Sequence, residues 1–87
     1  MIVECRNNEE IEQTLPFSFV SRILLDNHNI PELKSALQQI KHKKSTEASG
    51  NINNENIVAI AETGVNYISM GALTYDAKSI DLSLNAI

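Results

Sequence analysis

The chain alternates between short β-prone apolar runs and longer stretches with apolar side chains at helical spacing. The clearest helical stretch carries Leu33, Ala36, Leu37 and Ile40 at i, i+3, i+4 and i+7, which form one apolar stripe. The pattern predicts strands at residues 2–5, 22–26, 46–48 and 65–70, with a helix between each pair. The predicted order is β-α-β-α-β-α-β-tail, and the tail, residues 76–87, has a weak helical signal at Ile80, Leu82 and Leu84.

The predicted helices are bounded by residues with known preferences for helix ends. Asparagine caps the first turn, proline stops a helix or starts one, and glycine follows the last turn in a left-handed conformation. In chain order these signals are Asn7 or Asn8, Pro16, Pro31, Asn53 or Asn54, and Gly64. The apolar residues 17–20, between Pro16 and the second strand, are interpreted as a return loop.

Three adjacent apolar residues in the second strand, Ile23, Leu24 and Leu25, suggest burial on both faces of the sheet. Polar groups recur at the strand ends at nearly equal intervals, as expected of successive β-α units in a parallel sheet. The residues alone leave two architectures open. One is a small open sheet with an exposed first strand, and the other is the last part of a larger β/α barrel.

Composition narrows the range of partners and compartments. The formal net charge is −4 and the pI is near 5.0, which argues against a nucleic-acid or anionic-membrane surface. The single cysteine, Cys5, cannot form an internal disulfide, and no apolar run approaches the length of a membrane span. These properties favour the cytoplasm.

Two carboxylates, Glu4 and Asp26, lie at the ends of neighbouring predicted strands. Such a pair can hold ribose hydroxyls or a magnesium ion that carries pyrophosphate. The residues taken alone favour a plainer interpretation, in which Glu4 lies on a solvated face and Asp26 caps the following turn through Asn27.

Ser49, Gly50 and Asn51 follow the third strand, before a helix that we expect to begin near Asn53. A tight turn at this place offers backbone N–H groups and a hydroxyl to a phosphate. Gly71 ends the next strand and is the candidate second wall of the same site. Alternatively, Gly50 and Gly71 only permit tight turns.

Five motifs in register resemble the quinolinate phosphoribosyltransferase family, also called carboxylating nicotinate-nucleotide pyrophosphorylases, and the closing Asp81-Leu-Ser-Leu84 is also similar to the family's C-terminus. The five are Ile2-Val-Glu-Cys5, Ile23-Leu-Leu-Asp-Asn27, Glu47-Ala-Ser-Gly-Asn-Ile52, Ala61-Glu-Thr-Gly-Val65 and Ile68-Ser-Met-Gly-Ala-Leu-Thr74. The resemblance covers nearly the whole chain but only the C-terminal part of the family's sequence. It implies that residues 1–87 are the C-terminal portion of an open TIM-like α/β-barrel domain, with parallel strands. The family's N-terminal sandwich domain and early barrel strands are absent from this sequence.

The resemblance also implies a reaction. Family members convert quinolinate and phosphoribosyl pyrophosphate, carried with Mg²⁺, to nicotinate mononucleotide, pyrophosphate and carbon dioxide, a step of NAD synthesis. They act as dimers in which the sandwich of one subunit covers the barrel of the other. By resemblance, the substrate-binding residues are Glu4, Asp26, Ser49, Gly50, Asn51 and Gly71.

Two positions depart from the family pattern. Asn51 stands where many members have a second glycine, a change the turn can tolerate because Asn accepts a left-handed conformation. Tyr75 stands where many carry histidine, so no role is transferred to it. Glu47 is expected to be a buried or half-buried partner within the barrel. His28 and His42 are expected at the surface, and Cys5 in the core.

A site for two anionic substrates requires clustered cations, yet the only arginines are Arg6 and Arg22, and neither lies at a predicted strand carboxyl end. We therefore expect a fragment that holds the ribose- and phosphate-binding half of the site and is inactive alone. Two alternatives remain: a related protein of molybdenum-transport gene clusters, and a non-catalytic phosphate-binding half-barrel that oligomerises.

Overall fold

The computed structural model describes residues 1–80, and these form three helices and one five-stranded sheet, followed by a helical turn at residues 77–80. The elements in chain order are β1 (Ile2–Glu4), α1 (Asn8–Thr14), β2 (Arg22–Asp26), α2 (Ile30–Ile40), β3 (Ser45–Ser49), α3 (Ile57–Glu62), β4 (Tyr67–Met70) and β5 (Leu73–Asp76). The predicted alternation of strands and helices is confirmed. Ile80 of the tail is buried, whereas Leu82 and Leu84 lie outside the described residues.

The strands are arranged in sequence order, β1-β2-β3-β4-β5, and the first four are parallel. β2 and β3 have the longest pairing, from Arg22↔Ser45 to Asp26↔Ser49. Because parallel strands end on the same side, the loops after β1, β2, β3 and β4 share one edge of the sheet. We call this side the carboxyl edge. The sheet does not close into a barrel within residues 1–80: β1 and β5 are its two outer strands.

The fifth strand is a correction to the predicted order, which ended the fourth strand at residues 71–73 and placed no strand after it. β5 pairs antiparallel to β4, from Met70↔Leu73 to Tyr67↔Asp76. Gly71 and Ala72 form the two-residue loop, and Gly71 has a φ of 65°. A two-residue hairpin with glycine first is a favoured connection between antiparallel strands, so this signal was present in the sequence.

Asparagine side chains begin the first two helices: Asn7 does so as predicted, and Asn29 does so in addition. The Asn7 side chain accepts a hydrogen bond from the Glu10 backbone N–H at 2.9 Å. Asn29 and Glu32 form a reciprocal capping box, with Pro31 in the first turn of α2.

The third helix begins later than predicted, at Ile57 rather than near Asn53. The Asn53 side chain accepts hydrogen bonds from the backbone N–H groups of Glu55 and Asn56, so residues 53–56 form a separate turn. Gly64, which follows the last turn of α3, has the predicted positive φ, at 101°.

The helices cover one face of the sheet only. Ile23, Leu25 and Ile68 are fully buried on that face, whereas Leu24, which points the other way, is half-buried. The prediction that β2 is buried on both faces is therefore wrong for the described residues. We call the other side the open face: it carries Leu24, and polar side chains dominate it.

The remaining loops fit the same arrangement. Residues 17–20 form the predicted return loop, in which Val20 is buried while Phe17 and Phe19 are exposed. None of the helices within residues 1–80 has the length and apolar character needed to cross a bilayer.

Replacing Asn29 with alanine should lower the free energy of unfolding by about 1 kcal/mol, because the first turn of α2 loses a side-chain acceptor. Urea denaturation followed by circular dichroism measures the change. Asn54→Ala, in the exposed turn before α3, is the control and should cost less than about 0.5 kcal/mol. Equal losses in the two variants would contradict the capping role.

Candidate functional site

The carboxyl edge brings Asp26 and Ser49 together as directly paired residues of β2 and β3. The Ser49 hydroxyl donates a hydrogen bond to the Asp26 Oδ1 atom at 2.9 Å. The Asn27 backbone N–H donates to the Ser49 carbonyl, also at 2.9 Å. The predicted carboxylate and the predicted phosphate turn are thus parts of one hydrogen-bonded unit.

The turn after β3 holds two successive residues with positive φ, Gly50 at 81° and Asn51 at 54°. The prediction that Asn51 adopts the left-handed conformation is confirmed. Its side-chain amide donates to the Asn27 Oδ1 atom at 3.1 Å, and its carbonyl accepts from the Asn56 side chain at 2.7 Å. Asn27 itself has a φ of 56°, so two left-handed asparagines fasten neighbouring loops to each other.

Among the described residues, the backbone N–H groups of Gly50 and Asn51 have no hydrogen-bond acceptor. Successive free N–H groups on a turn with positive φ form a concave surface that suits an anion. The helix start, by contrast, contributes less than expected, because α3 begins at Ile57.

Gly50 is favoured by space as well as by backbone conformation. A Cβ atom at this position would lie within 3.0 Å of the side chains of Asp26 and Asn27. Both side chains would have to shift, and their hydrogen bonds with Ser49 and Asn51 would be disturbed.

Glu4 and Gly71 lie farther from this unit. Glu4 pairs with Leu24, two residues before Asp26, and its side chain is exposed. Gly71 lies beyond the end of β4 on the same edge, and a Cβ atom at this position would have open space around it to 4 Å. The β4–β5 hairpin by itself accounts for the positive φ of Gly71. The roles of both residues in binding stay predictions.

One arginine lies nearer the carboxyl edge than predicted. Arg6 follows the end of β1 by two residues and its side chain is 77% exposed. It forms an ion pair with Glu10 at 3.5 Å, and its backbone N–H, which donates to the Glu10 carboxylate at 2.6 Å, lowers the pKa of Glu10. A cleft of about 620 Å³ opens beside Arg6 between the starts of α1 and α2.

The other residues with reactive side chains are placed largely as predicted. Cys5 is fully buried, with its Sγ atom 3.5 Å from the Thr14 hydroxyl. His42 is exposed, but His28 is half-buried, and its Nδ1 atom lies 3.0 Å from the Asp26 carbonyl oxygen. Within residues 1–80, no three His, Cys, Asp or Glu side chains are grouped closely enough to hold a metal ion.

The fold defines an α/β protein with successive parallel β-α units, the arrangement from which β/α barrels are built. The profile of the quinolinate phosphoribosyl transferase C-terminal domain matches residues 1–85. The chain belongs to this family.

Individual relatives give the same result. The chain is 40% identical to a Nicotiana tabacum protein named quinolinate phosphoribosyltransferase [decarboxylating] 2b, mitochondrial, over 94% of this chain and 27% of the relative. It is 37% identical to a probable nicotinate-nucleotide pyrophosphorylase of Methanocaldococcus jannaschii, over 98% of this chain and 32% of that protein. The chain therefore spans between a quarter and a third of the length of these curated relatives.

A solved structure extends the likeness to three dimensions. The nicotinate-nucleotide pyrophosphorylase of Ehrlichia chaffeensis superposes with a TM-score of 0.74 at 41% identity. The match covers 80% of this chain and 25% of that one. The predicted membership in the family and its C-terminal α/β architecture are confirmed.

Gly50→Ala should destabilise the chain by about 1–3 kcal/mol more than Gly64→Ala, because only the first substitution overpacks against β2. Both glycines have positive φ, so the variants share a conformational cost, and Gly64 has open space around it. Urea denaturation of the two variants measures the difference. Equal destabilisation would show that contact with Asp26 and Asn27 is not what requires glycine at position 50.

Proposed function

We propose that this chain supplies the ribose- and phosphate-binding part of a quinolinate phosphoribosyltransferase of NAD synthesis. The observation that carries the proposal is the unit formed by Asp26, Ser49 and the Gly50–Asn51 turn at the carboxyl edge. Membership in the family supplies the reaction: quinolinate and phosphoribosyl pyrophosphate give nicotinate mononucleotide, pyrophosphate and carbon dioxide.

Each residue of the unit has a proposed role in holding phosphoribosyl pyrophosphate. The Ser49 hydroxyl and the N–H groups of Gly50 and Asn51 bind the 5′-phosphate, and Gly71 forms the second wall. Asp26, with Glu4 on the neighbouring strand, binds the ribose hydroxyls or the Mg²⁺ ion that enters with the substrate. Ser49 already occupies one oxygen of Asp26, which orients the carboxylate before the substrate arrives.

Orientation is what this part of the site contributes to the chemistry. The ribose carbon that carries the pyrophosphate must face the ring nitrogen of quinolinate while the bond to pyrophosphate breaks. Anchoring the 5′-phosphate and the hydroxyls at two neighbouring strand ends fixes the ribose between them. Holding reactants in a reactive geometry is a major source of rate enhancement.

The cations that quinolinate requires are not gathered at this edge by the described residues. Arg22 lies at the opposite end of β2 and pairs with Glu47, while Arg6 pairs with Glu10. Recognition of two carboxylates depends on such groups. We propose that other segments of the enzyme and a second subunit of a homodimer supply them.

The compartment is also a proposal. The sequence favours the cytoplasm, but plant relatives carry the words mitochondrial or chloroplastic in their names. The proposed site is compatible with any of these compartments, since none of its groups is a thiol.

Asp26→Asn should weaken binding of Mg²⁺-phosphoribosyl pyrophosphate by at least ~10-fold, because the variant loses the charge that faces the metal or the hydroxyls. Isothermal titration calorimetry of the 87-residue chain measures the dissociation constant. Glu55→Gln is the matched control, since it removes one exposed carboxylate beyond the same turn. Equal affinity in wild type and Asp26→Asn would contradict the proposed role.

The 87-residue chain alone should form no nicotinate mononucleotide from quinolinate and phosphoribosyl pyrophosphate. The reason is the lack of a free arginine pair at the carboxyl edge of the described residues. Chromatography of the reaction mixture detects the product, with the longer Methanocaldococcus jannaschii relative as the reference. Turnover by the chain alone would overturn the division of the site proposed here.

A second candidate function is a phosphate-binding half-barrel without catalysis. The outer strands β1 and β5 favour it, because both lack a neighbour on one side within residues 1–80. Size-exclusion chromatography with light scattering separates the cases: a defined oligomer that binds phosphate without turnover supports the second candidate.

A further inference from the structure

A chain of side-chain contacts crosses four strands of the open face. The Arg22 Nη1 atom donates to the Glu47 Oε1 atom at 2.9 Å, and the Ser69 hydroxyl donates to the Glu47 Oε2 atom at 2.5 Å. The Ser69 and Thr74 hydroxyl oxygens are 3.0 Å apart. Since Ser69 has one proton and gives it to Glu47, its oxygen accepts the proton of Thr74. The direction of every contact is therefore determined.

Glu47 is the centre of this network. Its side chain is 12% exposed, and among the described residues it is the one buried residue with a charged side chain. A carboxylate with so little contact with water is stable only when both of its oxygens are paired. Arg22 is held in turn by the Tyr67 ring, whose centroid lies 3.9 Å from the guanidinium carbon.

The network joins β3 and β4 where the backbone pairing between these two strands has ended. The pairing of β3 with β4 comprises Glu47↔Tyr67 and Ala48↔Ile68 and goes no further toward the carboxyl edge. Ser49 and Gly71, the proposed walls of the phosphate site, both lie beyond its end. The hydrogen bond between Glu47 and Ser69 holds β3 and β4 together just before those two turns, where no backbone pairing joins the strands.

Separate hydrogen bonds, between Thr46 and Asn66, join β3 and β4 at the other end of the pair. The Asn66 side-chain oxygen accepts from the Thr46 backbone N–H at 3.0 Å and from the Thr46 hydroxyl at 3.1 Å. The Asn66 N–H donates to the Thr46 hydroxyl oxygen at 3.2 Å. These hydrogen bonds join β3 to the start of β4 on the side of the sheet opposite the carboxyl edge, which we call the amino edge.

We propose that Glu47 is a positioning residue that sets the spacing between the Ser49–Gly50 turn and the Gly71 turn through Ser69. The proposal rests on the proposed function of those turns. Glu47 does not touch the substrate in this assignment. It acts on the two phosphate walls by joining the strands that carry them, and Arg22 supplies the compensating charge from the far side.

Ser69→Ala tests the proposal with little change in volume. It removes the Glu47–Ser69 contact, leaves the Arg22–Glu47 ion pair in place, and should raise the dissociation constant for Mg²⁺-phosphoribosyl pyrophosphate by ~10-fold, the equivalent of losing one hydrogen bond to a charged group. Ser69→Thr keeps the hydroxyl and should have the same dissociation constant as the wild type. Calorimetric titration measures all three proteins.

Asn66→Ala is the control for a purely structural role. It removes the two hydrogen bonds that the Asn66 side chain accepts at the amino edge of the same two strands and should lower the melting temperature. It should nevertheless leave the dissociation constant within about 2-fold of the wild type, less than ~0.5 kcal/mol. If Ser69→Ala and Asn66→Ala weaken binding equally, or if Ser69→Ala binds as tightly as wild type, the proposal is overturned.

A ligand-free measurement separates this proposal from the proposed function. Backbone ¹⁵N relaxation should give lower order parameters at Gly50 and Gly71 in Ser69→Ala but not in Asn66→Ala. Wild-type chain that fails to bind phosphoribosyl pyrophosphate would overturn the proposed function, while the relaxation data still decide the positioning role. Unchanged order parameters in Ser69→Ala would reject it.

Discussion

The alignment of β2 with β3 is the constraint on which the candidate site depends. Their ladder places Asp26 directly beside Ser49, and the side-chain hydrogen bond between the two residues can form only in that register. In a parallel pair, a slip by one residue would turn one of the two side chains to the helix-covered face. The buried side chains of Ile23 and Leu25 oppose such a slip, because it would expose them. Core packing on one face thus holds the polar unit on the other.

The local features of this fold could be predicted from the sequence because they depend on neighbouring residues. Asn7, Pro31 and Gly64 act through hydrogen bonds and dihedral angles within a few residues, and all three behave as predicted. The same holds for the Gly50–Asn51 turn, whose left-handed backbone follows from residue type. The hydrophobic pattern predicts the order of the strands, and the family motifs add the barrel architecture and the expected ligand.

Features that depend on distant residues were harder to predict. The three apolar residues of β2 indicate burial on both faces, but whether a second layer covers Leu24 depends on segments far from it along the chain. The network around Glu47 joins residues from four strands, so no short motif contains it. The start of α3 was misplaced for another reason: Asn53 can cap a helix or close a turn, and here it closes a turn.

The direction of β5 places its end, like the start of β1, away from the candidate site. β1 begins at the amino edge, and β5 returns to that edge because it runs against β4, so that the Ala77 N–H donates to the Asn66 carbonyl there. The start of β1 and the end of β5 therefore both lie on the side of the sheet opposite the turn that holds Gly50. A peptide or a reporter domain joined before Met1 would begin its path on that opposite side, and the Gly50–Asn51 turn would remain accessible to small molecules. Attachment at the amino terminus and chemistry at the strand tips are thereby assigned to different sides of the molecule.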